Sequence, residues 1–148
     1  MLTDFIKNQG KGIAQLKRHE GVRLDLYKCT AGANKIGYGR NLDANGISQD
    51  EADLMLNNDI EKFKKAVREN IDFFGKLNKA RQWVLINMAF NMGIQGLLKF
   101  KNTMAAIENG NYKGAADQML LSKWAAQVKS RAVELSKQME TGKFQEEG

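Results

Sequence analysis

From Ser48 to Met139 apolar residues recur at helical spacing, and nowhere in the 148 residues does a proline interrupt them. That pattern commits the larger part of the chain to helices packed on one another. Ser48-Gln49-Asp50-Glu51 opens the run as a capping box, with Ser at the cap and Glu three residues on. Leu54, Met55, Ile60, Phe63 and Val67 continue it to about Asn70, long enough for a strut between two lobes. A second helix is expected over Lys79–Met92, broken by Gly93 and Gly96, with more over Leu97–Asn109, Tyr112–Leu121 and Trp124–Met139. The tail after Gly142 is expected to fray.

The segment ahead of Ser48 reads differently. Phe5, Ile6, Ile13 and Leu16 sit at helical spacing over Thr3–His19, weakened by Gly10 and Gly12, and Gly21 offers a stop. From Leu24 to Asp43, alternating Leu24, Leu26, Ile36 and Tyr38 are punctuated by Gly32, Gly37 and Gly39. This predicts an antiparallel hairpin or three-stranded sheet turning at Ala31-Gly32-Ala33-Asn34. The expected fold class is α+β: a small N-terminal lobe with a short sheet, over about 13–60, joined by a long helix to a larger helical lobe. That lobe takes about 61–142 plus the first helix, within one domain of 1–148.

Composition narrows the chemistry. One cysteine, Cys29, excludes an intramolecular disulfide and a multi-cysteine zinc site, and one histidine, His19, argues against a histidine-based metal site or triad. No metal and no cofactor are expected, so acid/base work must rest on carboxylates. Glu20, at a helix end just before the sheet, is the leading one, since a cleft there would desolvate it and suit it to a general acid. The net charge of +6 suits a polyanionic partner. No nucleic-acid-binding motif is present. Apolar stretches are too interrupted for a span of about 20 residues. The N-terminus lacks the basic start and apolar core of a signal peptide. A monomer made in a cytoplasm is expected.

Several blocks go further. His19-Glu20-Gly21-Val22-Arg23-Leu24-Asp25-Leu26-Tyr27-Lys28 and Lys35-Ile36-Gly37-Tyr38-Gly39-Arg40-Asn41-Leu42 resemble the phage-type lysozymes, endolysins of glycoside hydrolase family 24. Gly46–Ala52, Asn87–Gly93 and Ser122–Ala132 extend the resemblance in the same order, from about residue 13 to 142. It implies the lysozyme-like fold and a muramidase that cleaves the β-1,4 bond between N-acetylmuramic acid and N-acetylglucosamine in peptidoglycan. The family uses a Glu, eight residues, an Asp, five residues, then a Thr. Here Glu20 matches, Cys29 stands at the aspartate position and Lys35 at the threonine position.

Those two departures shape the expectation. Glycoside hydrolysis needs a second group to activate water or attack the sugar. A Cys29 thiolate can stand in, although an ordinary thiol with a pKa of about 8.5 is only slightly ionised near neutrality. Lys35 can pair with that thiolate, yet its ammonium opposes an oxocarbenium-like transition state. Asp25, the nearest other carboxylate, has period-2 parity with residue 29 and lies roughly 6–7 Å along a strand from it. The resemblance further implies that Arg131 pairs with the catalytic glutamate and that Asn91 is a polar substrate-facing residue. Arg40 is a supporting residue, expected in an ion pair at the hairpin end. Trp83, Phe90 and Trp124 are expected in the core.

The first functional reading is therefore a bacteriolytic muramidase, held in the host bacterial cytoplasm until a separate membrane pore releases it to the wall. The alternative is an impaired or inactive lysozyme-fold peptidoglycan binder. A third reading, a cationic protein acting on the anionic envelope through Lys123–Lys137, would show strong salt dependence and indifference to Glu20.

Overall fold

A computed structural model of the protein describes residues 10–145. The chain divides between Asp53 and Leu54 into two compact units.

The first unit opens with helix α1, Gly10–Glu20. Residues 3–9 of the expected first helix lie outside the described residues. Gly21 ends α1 as anticipated: its φ is 66° and its N–H donates to the Lys17 carbonyl at 2.9 Å. A side chain would strain that conformation, so a glycine is suited there. Strands β1 (Arg23–Lys28), β2 (Asn34–Gly37) and β3 (Arg40–Asn41) follow as one antiparallel sheet in the order β1-β2-β3. The fold class is thus α+β, as the alternation predicted. The β1–β2 turn comes earlier than expected: Cys29 and Ala33 close it, and Asn34 already pairs with Lys28.

The sheet is irregular at one place. Arg23 pairs with Gly37 and Tyr27 with Lys35, so four steps along β1 oppose two along β2. Such a bulge interrupts simple alternation. Asp25 falls inside it, and counting by twos from Asp25 to residue 29 no longer fixes its face. Helix α2, Leu42–Asn45, is capped by the Asn41 side chain, which accepts from the Ala44 N–H at 3.0 Å. The Asp43 carboxylate accepts from the backbone N–H and side-chain amide of Asn34, holding α2 on β2.

Helix α3, Gln49–Asn70, begins at the predicted box. The Ser48 N–H donates to Glu51 Oε1 at 2.8 Å, and the Glu51 N–H to Ser48 Oγ at 3.2 Å.

The second unit holds the core. A 3-10 turn at Phe74–Lys76 leads into α4, Lys79–Leu98, then α5 (Lys101–Glu108), α6 (Tyr112–Leu120), α7 (Lys123–Val128) and α8 (Ser130–Thr141). Val84, Leu85, Met88 and Ala89 of α4 are fully buried among Leu97, Ile107, Met119, Leu135 and Met139. Two boundaries differ from expectation. Gly93 leaves helical geometry at φ 80°, but the helix resumes through Gly96 to Leu98, so Leu97 belongs to α4. The expected final helix is two: Lys129, at φ 50° and ψ −108°, separates α7 from α8 without glycine or proline to announce it.

Among the aromatics, Trp124 is core at 6% exposure, but Trp83 and Phe90 keep 37% and 38%. They are corrections to the expected core. With Asn87 and Asn91 they occupy the α4 face opposite Leu85 and Met88, and Phe90 rests against Phe63 with ring centroids 5.5 Å apart. Among the described residues no helix is long and apolar enough to cross a membrane.

Candidate active site

In the first unit, α1 and the β2–β3 turn enclose a groove of about 530 Å³ lined by Ile13, Leu16, Lys17, Glu20, Lys35, Tyr38 and Gly39. Ile13, Leu16, Lys17 and Glu20 fall on one helical stripe, at offsets of three, four and seven from residue 13. Lys35 reaches the groove from the central strand, where it pairs with Tyr27 on one side and Asn41 on the other. Thus Glu20 and Lys35, fifteen residues apart, share one cavity. Glu20 is exposed at its wall.

Cys29 sits beyond β1 and is half-buried. Its N–H donates to the Ala33 carbonyl at 3.0 Å and its own carbonyl accepts from Gly32 at 2.9 Å. This turn gathers backbone N–H groups around the sulfur. Those of Ala33 and then Ala31 hydrogen-bond to the ionised form and hold the thiol below its ordinary pKa, against a smaller opposing effect of burial. The Lys35 ammonium adds to the lowering. Cys29 and Lys35 are electrostatic neighbours, although Cys29 does not line the groove.

Arg40 is occupied structurally. Its Nη1 donates to Glu51 Oε1 at 2.8 Å and to the Gly46 carbonyl at 3.0 Å, and its Nη2 donates to Glu51 Oε2 at 2.6 Å. This fork is the ion pair expected at the end of the hairpin, and it ties β3 to the start of α3.

In the second unit, two asparagines one turn apart on α4 accept hydrogen bonds from Arg131 and Trp124. Arg131 donates through Nε and Nη2 to Asn87 Oδ1 at 2.9 and 2.7 Å. Trp124 Nε1 donates to Asn91 Oδ1 at 2.8 Å. Both amide oxygens are engaged, which orients each amide with its NH₂ group as a donor.

Four participants escaped the sequence reading in these roles. Asn87 as the partner of Arg131 was signalled only by its i,i+4 relation to Asn91. Lys17 was signalled only by standing three residues before Glu20. Its ammonium lies 5.4 Å from the centroid of the Tyr38 ring, a pairing between α1 and the β2–β3 turn. Tyr38 reads as an ordinary strand residue, and Gly39 as punctuation.

A family model described as phage lysozyme matches residues 17–140, which hold the groove, the Cys29 turn and both asparagine pairs. The chain is 26% identical, over 156 aligned positions, to the "Probable T4-type lysozyme 1" of Dictyostelium discoideum, covering 86% of this chain and 92% of that protein. It is 28% identical, over 118 positions, to the "Endolysin" of Acyrthosiphon pisum secondary endosymbiont phage 1, covering 78% and 77%. It is also 27% identical to the "Pre-baseplate central spike protein Gp5" of Enterobacteria phage T4, where 90% of this chain spans only 28% of the larger protein. With most of its length under one family model, and with the α+β architecture the resemblance implied, the chain belongs to the phage lysozyme family.

Proposed function

We propose that this protein hydrolyses bacterial peptidoglycan as a muramidase, cutting the β-1,4 bond between N-acetylmuramic acid and N-acetylglucosamine. The observation that carries the reading is that Glu20, which the resemblance puts at the family's glutamate position, lines a groove in a chain of the phage lysozyme family.

Glu20 is the general acid and protonates the departing glycosidic oxygen. Its carboxyl is at the end of α1, so the helix fixes its backbone while solvent can return the proton. Cys29 is the second group. As thiolate it accepts a proton from the water that attacks the anomeric carbon. The lowered pKa of its thiol raises the fraction of base at neutral pH. Lys35 is the third member of the set, keeping that thiolate charged. Arg131 and Asn91 belong to the saccharide-binding set, and Arg40 supports the sheet beneath the groove. The protein acts on the cell wall as a monomer, without metal or cofactor, and its excess positive charge favours approach to the anionic envelope.

One observation favours a second reading, a wall-binding protein with little hydrolysis. Lys35 puts an ammonium in the same groove as Glu20, where positive charge develops on the sugar during cleavage.

Muropeptide release from purified peptidoglycan, read by mass spectrometry with identification of the new reducing end, separates the two. The muramidase reading expects disaccharide peptides ending in reducing N-acetylmuramic acid. It expects Glu20→Gln to lower the rate about 10²–10⁴-fold. Cys29→Ala lowers the rate if the thiol is the base and leaves it intact if not. No release by the parent, with peptidoglycan still pulled down, sinks the enzyme reading in favour of the binder.

A further inference from the structure

We propose that Gly39 is a positioning residue for the Glu20 carboxyl, its missing side chain setting where the acid can rest in the groove. The inference rests on Glu20 being the general acid.

Gly39 is the second residue of the two-residue turn between β2 and β3, with φ of 81°. A Cβ there would stand 3.0 Å from Glu20 Oε2 and 3.9 Å from Glu20 Cδ, and, among the described residues, within 4 Å of no other atom outside its chain neighbours. The carboxyl thus occupies the space that a side chain at position 39 would need.

Gly37, two residues earlier, is an internal control. Its φ is 70°, so it makes the same demand on the backbone, but a Cβ there would meet nothing within 4 Å among the described residues. A side chain at either position carries the cost of the left-handed region. Only at position 39 does it also press on Glu20.

The pressed atom is the free end of a flexible side chain. Rotation about the Glu20 side-chain bonds relieves the contact at little cost to stability. The same rotation moves the acid away from the oxygen it must protonate. General acid catalysis needs a donor within about 2.6–3.2 Å of its target, and a displacement of about 1 Å can cost about a hundredfold in rate. Stability and turnover are therefore expected to separate at position 39 and to stay together at position 37.

The test compares the parent, Glu20→Gln, Gly37→Ala, Gly39→Ala and Gly39→Asn, with Gly39→Ala repeated in a Glu20→Asp background. Asparagine tolerates positive φ better while still adding a Cβ, so it keeps the question open to measurement if the alanine variant folds poorly. Thermal midpoint, kcat and KM for muropeptide release, and the ¹³C resonance of the Glu20 carboxyl are read for each. We expect similar losses of midpoint for the two alanine variants. Gly37→Ala should keep kcat within about twofold. Gly39→Ala and Gly39→Asn should lose about 10–100-fold in kcat with KM little changed. In the Glu20→Asp background, whose shorter side chain withdraws from residue 39, Gly39→Ala should cost nothing further. The Glu20 resonance should move in the position-39 variants and stay in Gly37→Ala.

Equal kcat for Gly37→Ala and Gly39→Ala in an active parent, or a Glu20 resonance unmoved by substitution at 39, overturns the proposal. A parent without turnover, or Glu20→Gln as active as the parent, overturns the general-acid role and with it the catalytic consequence of Gly39. In those two cases the carboxyl resonance still decides whether residue 39 sets the position of Glu20.

Discussion

Arg40 and Glu51 show how one pair of side chains fastens a small sheet. The two-point fork, with Ser48 donating its backbone N–H to the same carboxylate, holds Glu51 well below the usual carboxylate range, at about 2. The Arg40 hydrogen bonds are the largest cause and the Ser48 N–H the next. A carboxyl with a depressed folded-state pKa contributes stability above its unfolded value, and that contribution is lost as pH falls through the folded one. The window here runs from about pH 4.5 down to about pH 2. Roughly two-fifths of each side chain remains exposed, so solvent screens the pair and salt should weaken it. Urea unfolding of the parent and Glu51→Gln should therefore differ most above about pH 5 and converge toward about pH 2. A gap that persists unchanged at the acid end would mean that the carboxylate charge is not what holds the hairpin to α3.

The elements differ in how openly their ends are signalled. The start of α3 is local chemistry: Ser48 and Glu51 are three residues apart and satisfy each other's backbone N–H groups. Gly21 ends α1 for an equally local reason. The end of α8 combines local and distant causes. Gly142 is in the left-handed conformation, which its glycine hints at. The rest of the cap comes from α4 and from Asn78, the residue that caps its start. Arg81 donates to the Met139 and Glu140 carbonyls at 2.8 and 3.0 Å while its guanidinium lies 3.5 Å from the centroid of the Tyr112 ring. Asn78 donates to the Gly142 carbonyl at 2.9 Å. Lysine cannot reproduce the planar fork or the stacking, so Arg81→Lys should cost about 1–2 kcal/mol despite keeping the charge. Gly142→Ala should cost at least about 1–2 kcal/mol from the backbone alone. Its Cβ would also stand 2.9 Å from the Arg81 guanidinium. Chemical denaturation checks both, and a neutral Arg81→Lys would show that packing of α8, not this cap, sets its stability.

Over the whole molecule, hydrophobic burial is unevenly distributed. Among the described residues every buried apolar side chain lies between Val67 and Met139, whereas Leu24 on β1 is 83% exposed. Leu85→Ala should cost about 2–5 kcal/mol, because it opens a cavity among fully buried neighbours. Leu24→Ala should stay within about 0.5 kcal/mol. Hydrogen exchange should find the most protected amides in α4 and α8 and weaker protection in the sheet. Equal penalties for the two leucines would show that Leu24 is covered in solution.

Read alone, the sequence determined what depends on neighbours along the chain. The α+β class, the glycine-punctuated antiparallel strands, the Ser48 box and the Gly21 stop all arise from contacts within a few residues, where identity and spacing suffice. The spacing of Glu20, Cys29 and Lys35 was legible for the same reason, and so was membership of a lysozyme family. The tertiary structure decided what depends on which surfaces meet. The bulge that takes Asp25 out of simple alternation follows from strand pairing, which a single strand does not encode. The break at Lys129 carries no glycine or proline, and an unbroken helical pattern runs through it. Trp83 and Phe90 are hydrophobic enough for the core, but α4 had already turned Leu85 and Met88 inward. The partners of Arg131, Arg40 and Glu20 — Asn87, Glu51 and the space left by Gly39 — were chosen by packing, because hydrogen-bond partners and van der Waals clearances exist only once the chain has been brought together in space.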